Sequence, residues 1–250
     1  MKLPNGYVIY RGPSLLNQAP IVAVVIASSA NAKTGDMAQT YILPDSGARP
    51  VEAIRSGADE SVCGDCIHRP RNAGTCYVVV RQGATIVWQS LHEGRYADLS
   101  HCVDIASELI GGKMIRLGTY GDPAAVPVSV WRELLMSVAG WVGYTHQWQR
   151  AEAQPLRDIC MASVDSAREM DLARAMGWRT FRVRTSDEPL QARESICPAS
   201  AEAGHKLKCA TCGACDGAHK SRQGSIAIVL HGNHPRQREE RFTEARGVSA

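Results

Sequence analysis

The order of apolar and polar residues divides the chain into two regimes. Through the first 97 residues, short apolar runs at Tyr7–Tyr10, Ile21–Ala27, Gln39–Leu43 and Tyr77–Arg81 are separated by Gly, Pro, Asn and Asp, which predicts an irregular, β-rich part. Pro50–Arg55 reads as a short helix opened by proline and stopped at Gly57. From residue 98 the pattern turns to strand–helix alternation. Asp98–Ile110 and Pro127–Ala139 are helical in pattern, the latter with apolar residues at Val128, Trp131, Leu134, Leu135 and Val138. Met114–Leu117, Trp141–Tyr144, Ile159–Val164, Arg179–Arg184 and Ile226–Leu230 read as strands. Ser166 followed by Glu169 forms a capping box, and Gly177 stops the helix that it starts.

Such alternation builds parallel βαβ units. The expected fold is therefore α/β: a modified or partial (β/α) barrel with an irregular β-rich N-terminal part and cysteine-rich metal-binding loops. Residues 1–235 form one domain in this reading, with 1–97 holding the first cysteine group and 98–235 the second; 236–250 are a polar tail. Each strand runs into a polar or glycine-rich loop: Gly118–Asp122, Thr145–His146, Asp165–Ser166, Thr185–Asp187 and His231–Asn233. Chemistry in α/β sheets gathers at the carboxyl ends of the strands, so these loops predict a functional rim.

Composition narrows the class. A chain of 250 residues, 44% hydrophobic and 21% charged, can bury a core without staples. The net charge is only +3, and the one dense basic stretch, Arg236–Arg241, is interrupted by Glu239 and Glu240, which argues against nucleic acid as a partner. Ile21–Ala27 followed by Ser28–Ala32 imitates a leader peptide, but Pro20 and the mixed polar residues before it favour a buried strand. No segment approaches the roughly 18–20 apolar residues of a membrane span. Nine cysteines, an odd number with CxxC spacings, suit metal ligation in a reducing cytoplasm better than a disulfide framework. A cytoplasmic protein with no membrane partner is expected.

Seven of the nine cysteines fall into two groups. Cys209, Cys212 and Cys215, spaced two residues apart, match the three-cysteine part of bacterial ferredoxin loops, and Cys197-Pro198 offers a fourth ligand followed by proline. A [4Fe-4S] cluster or a zinc ion satisfies this set. The first group, Cys63, Cys66 and Cys76, has no obvious fourth ligand. His68 could complete a zinc site or simply sit on the loop; with three thiolates alone, one coordination position stays open for a substrate or cofactor. The two groups could also converge on one metal. Cys102 and Cys160 read as ordinary buried residues.

Three rim residues, His146, Asp165 and His231, are candidate acids or bases, although Asp165-Ser166 also reads as a helix cap. In Gly118-Thr-Tyr-Gly121-Asp122, Gly118 and Gly121 allow backbone to approach a ligand, and Asp122 can accept hydrogen bonds from an amino group or ribose; a tight turn explains the same residues. The tryptophans are core.

The strings Lys33–Gln39, Ser61-Val-Cys-Gly-Asp-Cys66, Gly74-Thr-Cys-Tyr77, Arg116–Pro123, Tyr144-Thr-His-Gln-Trp148, Met161–Asp165, Gly177–Arg182 and Cys197-Pro-Ala-Ser200 resemble a family of uncharacterised cysteine-rich bacteriophage and prophage proteins. The resemblance implies a viral origin and a host-cell cytoplasm, and no settled activity. A more distant likeness is to radical S-adenosylmethionine enzymes. It implies a partial (β/α) barrel, an open cluster on Cys63, Cys66 and Cys76, S-adenosylmethionine near Gly118–Asp122, and an auxiliary cluster at the second group. The chain departs from that superfamily's C-x3-C-x2-C, carrying C-x2-C-x9-C instead. The expected protein is a phage-type iron–sulfur protein with one or two [4Fe-4S] clusters, a redox or radical enzyme of unknown substrate served by an electron donor. The alternatives are a non-catalytic zinc module that contacts nucleic acid or a host protein, and a structural component stapled by metal.

Overall fold

The computed structural model describes residues 4–28, 34–218, 224–232 and 234–248. Most of the leader-like Ser28–Ala32 stretch, Lys33 of the first resemblance string and Asn233 of the last rim loop lie outside them. The N-terminal part begins with an antiparallel meander of β1 (Gly6–Pro13), β2 (Pro20–Ile26) and β3 (Ala38–Pro44). Nearly every residue of β2 and all of β3 are buried; the Val/Ile-rich run of β2 suits a strand covered on both faces. Three helices follow: α1 (Pro50–Ser56), α2 (Glu60–Cys63) and α3 (Gly83–His92). The stop at Gly57 takes the left-handed conformation, φ 88°.

The second part runs β4 (Ala97–Asp98), α4 (Val103–Leu109), β5 (Met114–Tyr120), α5 (Val128–Leu134), β6 (Gly140–Val142), β7 (Tyr144–Thr145), β8 (Met161–Val164), α6 (Ala167–Ala175), β9 (Thr180–Arg184), β10 (Glu194–Ile196), α7 (Cys209–Cys212), β11 (Ser225–Val229) and α8 (Pro235–Val248). One mixed sheet has the order β4-β1-β2-β3-β5-β6, and one parallel sheet the order β10-β11-β9-β8-β7. Only Gly143 separates β6 from β7. Its N–H donates to the Cys215 carbonyl at 2.9 Å, and its carbonyl accepts from the Met161 N–H at 2.9 Å. One extended segment therefore serves both sheets. Among the described residues no ladder joins β4 to β10, so the sheets do not close.

The α/β class and the βαβ units β5-α5-β6 and β8-α6-β9 follow the sequence pattern. Three expectations are corrected. Tyr77–Arg81 is irregular chain, not a strand: Val79 is 57% exposed, and its carbonyl accepts from the Gln82 N–H in a local turn rather than from a neighbouring strand. The segment before α4 is not helical, because Ala97 and Asp98 pair with Tyr7 and Val8. The polar tail is mostly a helix. Phe242 of α8 is fully buried, and Arg238, Arg246 and Glu239 bond to the body of the protein. Among the described residues, no helix is long and apolar enough to cross a membrane.

Candidate functional site

Local sequence builds the first cysteine loop. α2 ends at Gly64, whose φ of 58° and lack of Cβ let the chain turn hard against Gln147; a Cβ there would lie 2.5 Å from the Gln147 Oε1. The loop is held by a buried ion pair. Arg69 donates to both carboxylate oxygens of Asp59 at 2.9 and 2.8 Å and to the Gly64 carbonyl at 2.8 Å. Each cysteine carbonyl also has a side-chain donor: Gln147 Nε2 for Cys63, Asn72 Nδ2 for Cys66 and Arg238 for Cys76. Cys76 N–H donates to the His68 carbonyl at 2.9 Å and closes the nine-residue excursion. The three thiols thus become electrostatic neighbours. Burial pushes all three above the ordinary thiol range; Cys76 pushes Cys63 further, and Cys63 and Cys76 push Cys66 further.

The second group forms where β10 ends and α7 makes a single turn. Cys197 N–H donates to the Ala227 carbonyl, which ties that cysteine to β11. Burial pushes Cys215 up to about 12; the Tyr144 hydroxyl partly offsets this, while Cys197, Cys209 and Cys212 add to it. Three thiols therefore gather around that of Cys215. Arg179 pins the loop behind them, donating to Asp216 Oδ1 at 2.9 Å and to the carbonyls of Ala214, Gly217 and Gly224 at 2.9, 2.6 and 2.8 Å. Cys197, Cys209 and Cys215 belong to a small apolar core with Met37, Val142, Met161, Ile226 and Ile228. Cys160 is buried in the main core, and Cys102 precedes α4; neither joins a cysteine group.

Between the two groups lies a cavity of about 160 Å³ that Cys63, Cys66, Cys76, Cys197 and Cys209 all line. Ser163, Phe181, Val183 and Ile228, from β8, β9 and β11, line its wall. Arg116 projects from β5 into this space and is only 7% exposed. Its guanidinium hydrogen-bonds the Tyr77 hydroxyl and lies 5.6 Å from the centre of the Tyr144 ring. Burial opposes its charge, but Tyr77, Tyr144, Cys209 and Cys215 outweigh that and hold its pKa above the ordinary value. Among the described residues no carboxylate lies within 4.0 Å of it. Two hydroxyls in the cavity wall, on Thr119 and Tyr120, are buried without a hydrogen-bond partner among the described residues.

Three of the five predicted rim loops meet, those after β5, β7 and β8. Asp122 accepts from Thr145 Oγ1 at 2.7 Å, from the Ala124 N–H at 2.9 Å and from the His146 N–H at 2.7 Å. Burial nevertheless raises its pKa to about 6. Gly118 and Gly121 have φ of 64° and 82° and face protein at Cβ distances of 2.7 Å, so both serve a tight turn even though they line the cavity. Asp165 accepts from His68 Nε2 at 2.9 Å, and His68 Nδ1 bonds Thr75 Oγ1 at 2.6 Å. Burial works against the Asp165 charge, but His68, His146 and Arg246 outweigh it and hold the carboxyl below its ordinary value. His146 joins this pair, and burial lowers its pKa to about 4. Ser166 caps α6 as expected, accepting from the Glu169 N–H. His231 stands apart, stacked on Tyr77 at the cavity edge.

Sequence reasoning missed Arg116, Tyr77 and Tyr144 as site residues. One signal was present: Arg116 is a lone charge inside the apolar run Met-Ile-Arg-Leu of a buried parallel strand. Compared with protein-family models, curated proteins and solved structures, the chain matches none.

Proposed function

We propose that the chain is an iron–sulfur protein whose two cysteine groups face one reaction cavity, on the concave side of a partial (β/α) barrel joined through Gly143. Arg116 carries this reading. An arginine is always protonated, and a buried cation needs a counter-charge. Here its neighbours are phenols and cysteines rather than a carboxylate. Thiols become anions when they bind metal, so a metallated group at Cys197, Cys209, Cys212 and Cys215 supplies the missing negative charge.

The width of the groups favours a cluster over zinc. No three cysteine sulfurs among the described residues lie within 4.8 Å of one another. Thiolates around one zinc ion, bonded at about 2.3 Å, stand only about 3.8 Å apart. A cubane carries its thiolates outside a four-iron core and takes them further apart. Cys197, Cys209, Cys212 and Cys215 would ligate one cluster fully. Cys63, Cys66 and Cys76 would leave one iron without a protein sulfur beside the cavity. Such clusters supply one-electron transfer, and the open iron a binding place for a substrate.

The chain's own residues suit a small polar ligand. Thr119 and Tyr120 offer hydroxyls, Tyr77 and Tyr144 offer ring faces, and Arg116 offers a cation. S-adenosylmethionine fits less well, because the Asp122 carboxylate already accepts three protein hydrogen bonds. We infer a redox enzyme served by an external electron donor; a reducing host cytoplasm is what the phage-type resemblance would imply. Anaerobic purification followed by iron and sulfide analysis and EPR of the reduced protein tests it. Two clusters per chain are expected, and Cys209→Ser removes the signal of one. A colourless protein holding stoichiometric zinc would falsify it.

A further inference from the structure

We propose that His68, His146 and Asp165 form a separate, sulfur-free site for a divalent first-row metal ion, beside the iron–sulfur cavity. The three come from distant parts of the chain: the first cysteine loop, the end of β7 and the end of β8. One ligand atom from each lies within 4.8 Å of the other two. Two imidazoles and one carboxylate make a donor set suited to zinc or ferrous ions, with positions left for water.

Four observations fit an ion. His68 Nε2 and Asp165 Oδ1 are 2.9 Å apart, and two ligands at right angles on an ion with bonds of about 2.1 Å stand about 3.0 Å apart. That edge is held by a hydrogen bond whose proton the ion would displace. On the far side of the ring, His68 Nδ1 is 2.6 Å from Thr75 Oγ1, the outer partner that orients a ligating histidine and leaves Nε2 for the metal. His146 Nε2 is buried with no hydrogen-bond partner among the described residues, and a metal bond would satisfy it. An open groove of about 580 Å³, lined by Asp165, His146, Gln147 and Glu169, gives the ion and its waters a way in.

The neighbourhood is fixed. Phe242 of α8 stacks on His68 with ring centres 5.2 Å apart, and Arg246 donates to the Asp165 carbonyl at 2.9 Å. The proposal goes beyond the iron–sulfur reading and does not depend on it, since none of the three ligands is a sulfur.

The test uses the full-length protein purified anaerobically, stripped of loosely held ions with a chelator and dialysed against zinc(II). Zinc content and zinc-edge X-ray absorption are then read. One tightly held zinc per chain, with nitrogen and oxygen neighbours only, is expected. His146→Gln and Asp165→Asn should each weaken it at least about tenfold, with circular dichroism and sulfide content unchanged. Glu169→Gln, in the groove but outside the triad, should retain it. No zinc with nitrogen and oxygen neighbours, or wild-type zinc affinity in both variants, would overturn the proposal. Should one variant not fold, the other and the wild-type spectrum decide.

Discussion

Arg179 gives the most direct way to probe what holds the second cysteine group. Replacing it with methionine keeps most of the aliphatic volume and deletes the guanidinium. Arg179 and Asp216 are both nearly buried, with side chains 8% exposed, and pair at 2.9 Å. The same guanidinium donates to three carbonyls, two of them in the loop just after Cys212. Removing one partner of a buried pair costs about 3–5 kcal/mol, because the remaining charge keeps its desolvation penalty. Set against a domain stability of about 5–15 kcal/mol, Arg179→Met should fold but open its 214–217 loop far more often. Urea melts followed by tryptophan fluorescence should show the loss in midpoint. Metal analysis should show depletion at the second group with the first group retained. Arg179→Met/Asp216→Asn should recover part of the stability, since it removes the orphaned charge. A single variant within about 1 kcal/mol of wild type, with full metal content, would refute the assignment of Arg179 as the brace.

Other substitutions test neighbouring parts of the structure. Gly121→Ala meets both a left-handed φ of 82° and a Cβ 2.7 Å from that of Ile42, so thermal melts should show a loss of about 1–3 kcal/mol; an unchanged midpoint would remove the turn reading. Phe242→Ala empties a fully buried position under α8 and should cost about 3–5 kcal/mol in urea melts, whereas a free tail would show nothing. Glu194 is buried, which opposes its charge, but the Arg182 bonds and the Gln191 N–H outweigh burial and hold its carboxyl below the ordinary 4.5. A lowered carboxyl stabilises the fold above its unfolded value and loses that contribution as pH falls through the folded one. Glu194→Gln should therefore be less stable at neutral pH and show a flatter loss of stability below pH 4.5. Cys102→Ser and Cys160→Ser should leave metal content unchanged, and a loss of metal in either would redraw the ligand sets.

Elements whose cause is local were legible in the chain. β2 follows from an unbroken apolar run, the stops at Gly57 and Gly177 from glycine's access to positive φ, and α6 from the Ser166 hydroxyl capping the Glu169 N–H. α3 was not legible, because Thr85, Ile86 and Val87 are β-branched and read against a helix; burial of Ala84 and Val87 overrides that propensity. Tyr77–Arg81 misled in the opposite direction. Its Val run has strand propensity, yet Tyr77 is drawn to Arg116 and His231, and the backbone finds no partner strand.

The same division runs through the site. Spacing alone placed Cys63 beside Cys66, and Cys209 beside Cys212 and Cys215, since residues three positions apart in a loop cannot stand far from one another. Spacing also determined that glycine and aspartate end β5, and that polar residues follow each parallel strand. Only the tertiary structure decided that both cysteine groups face one cavity, that Arg116 stands beside the second of them without a carboxylate, and that His68, His146 and Asp165 meet. Those juxtapositions join residues about a hundred positions apart. Strand order and the turn through Gly143 set them, and both depend on how buried faces pair across the whole chain rather than on any local run of residues.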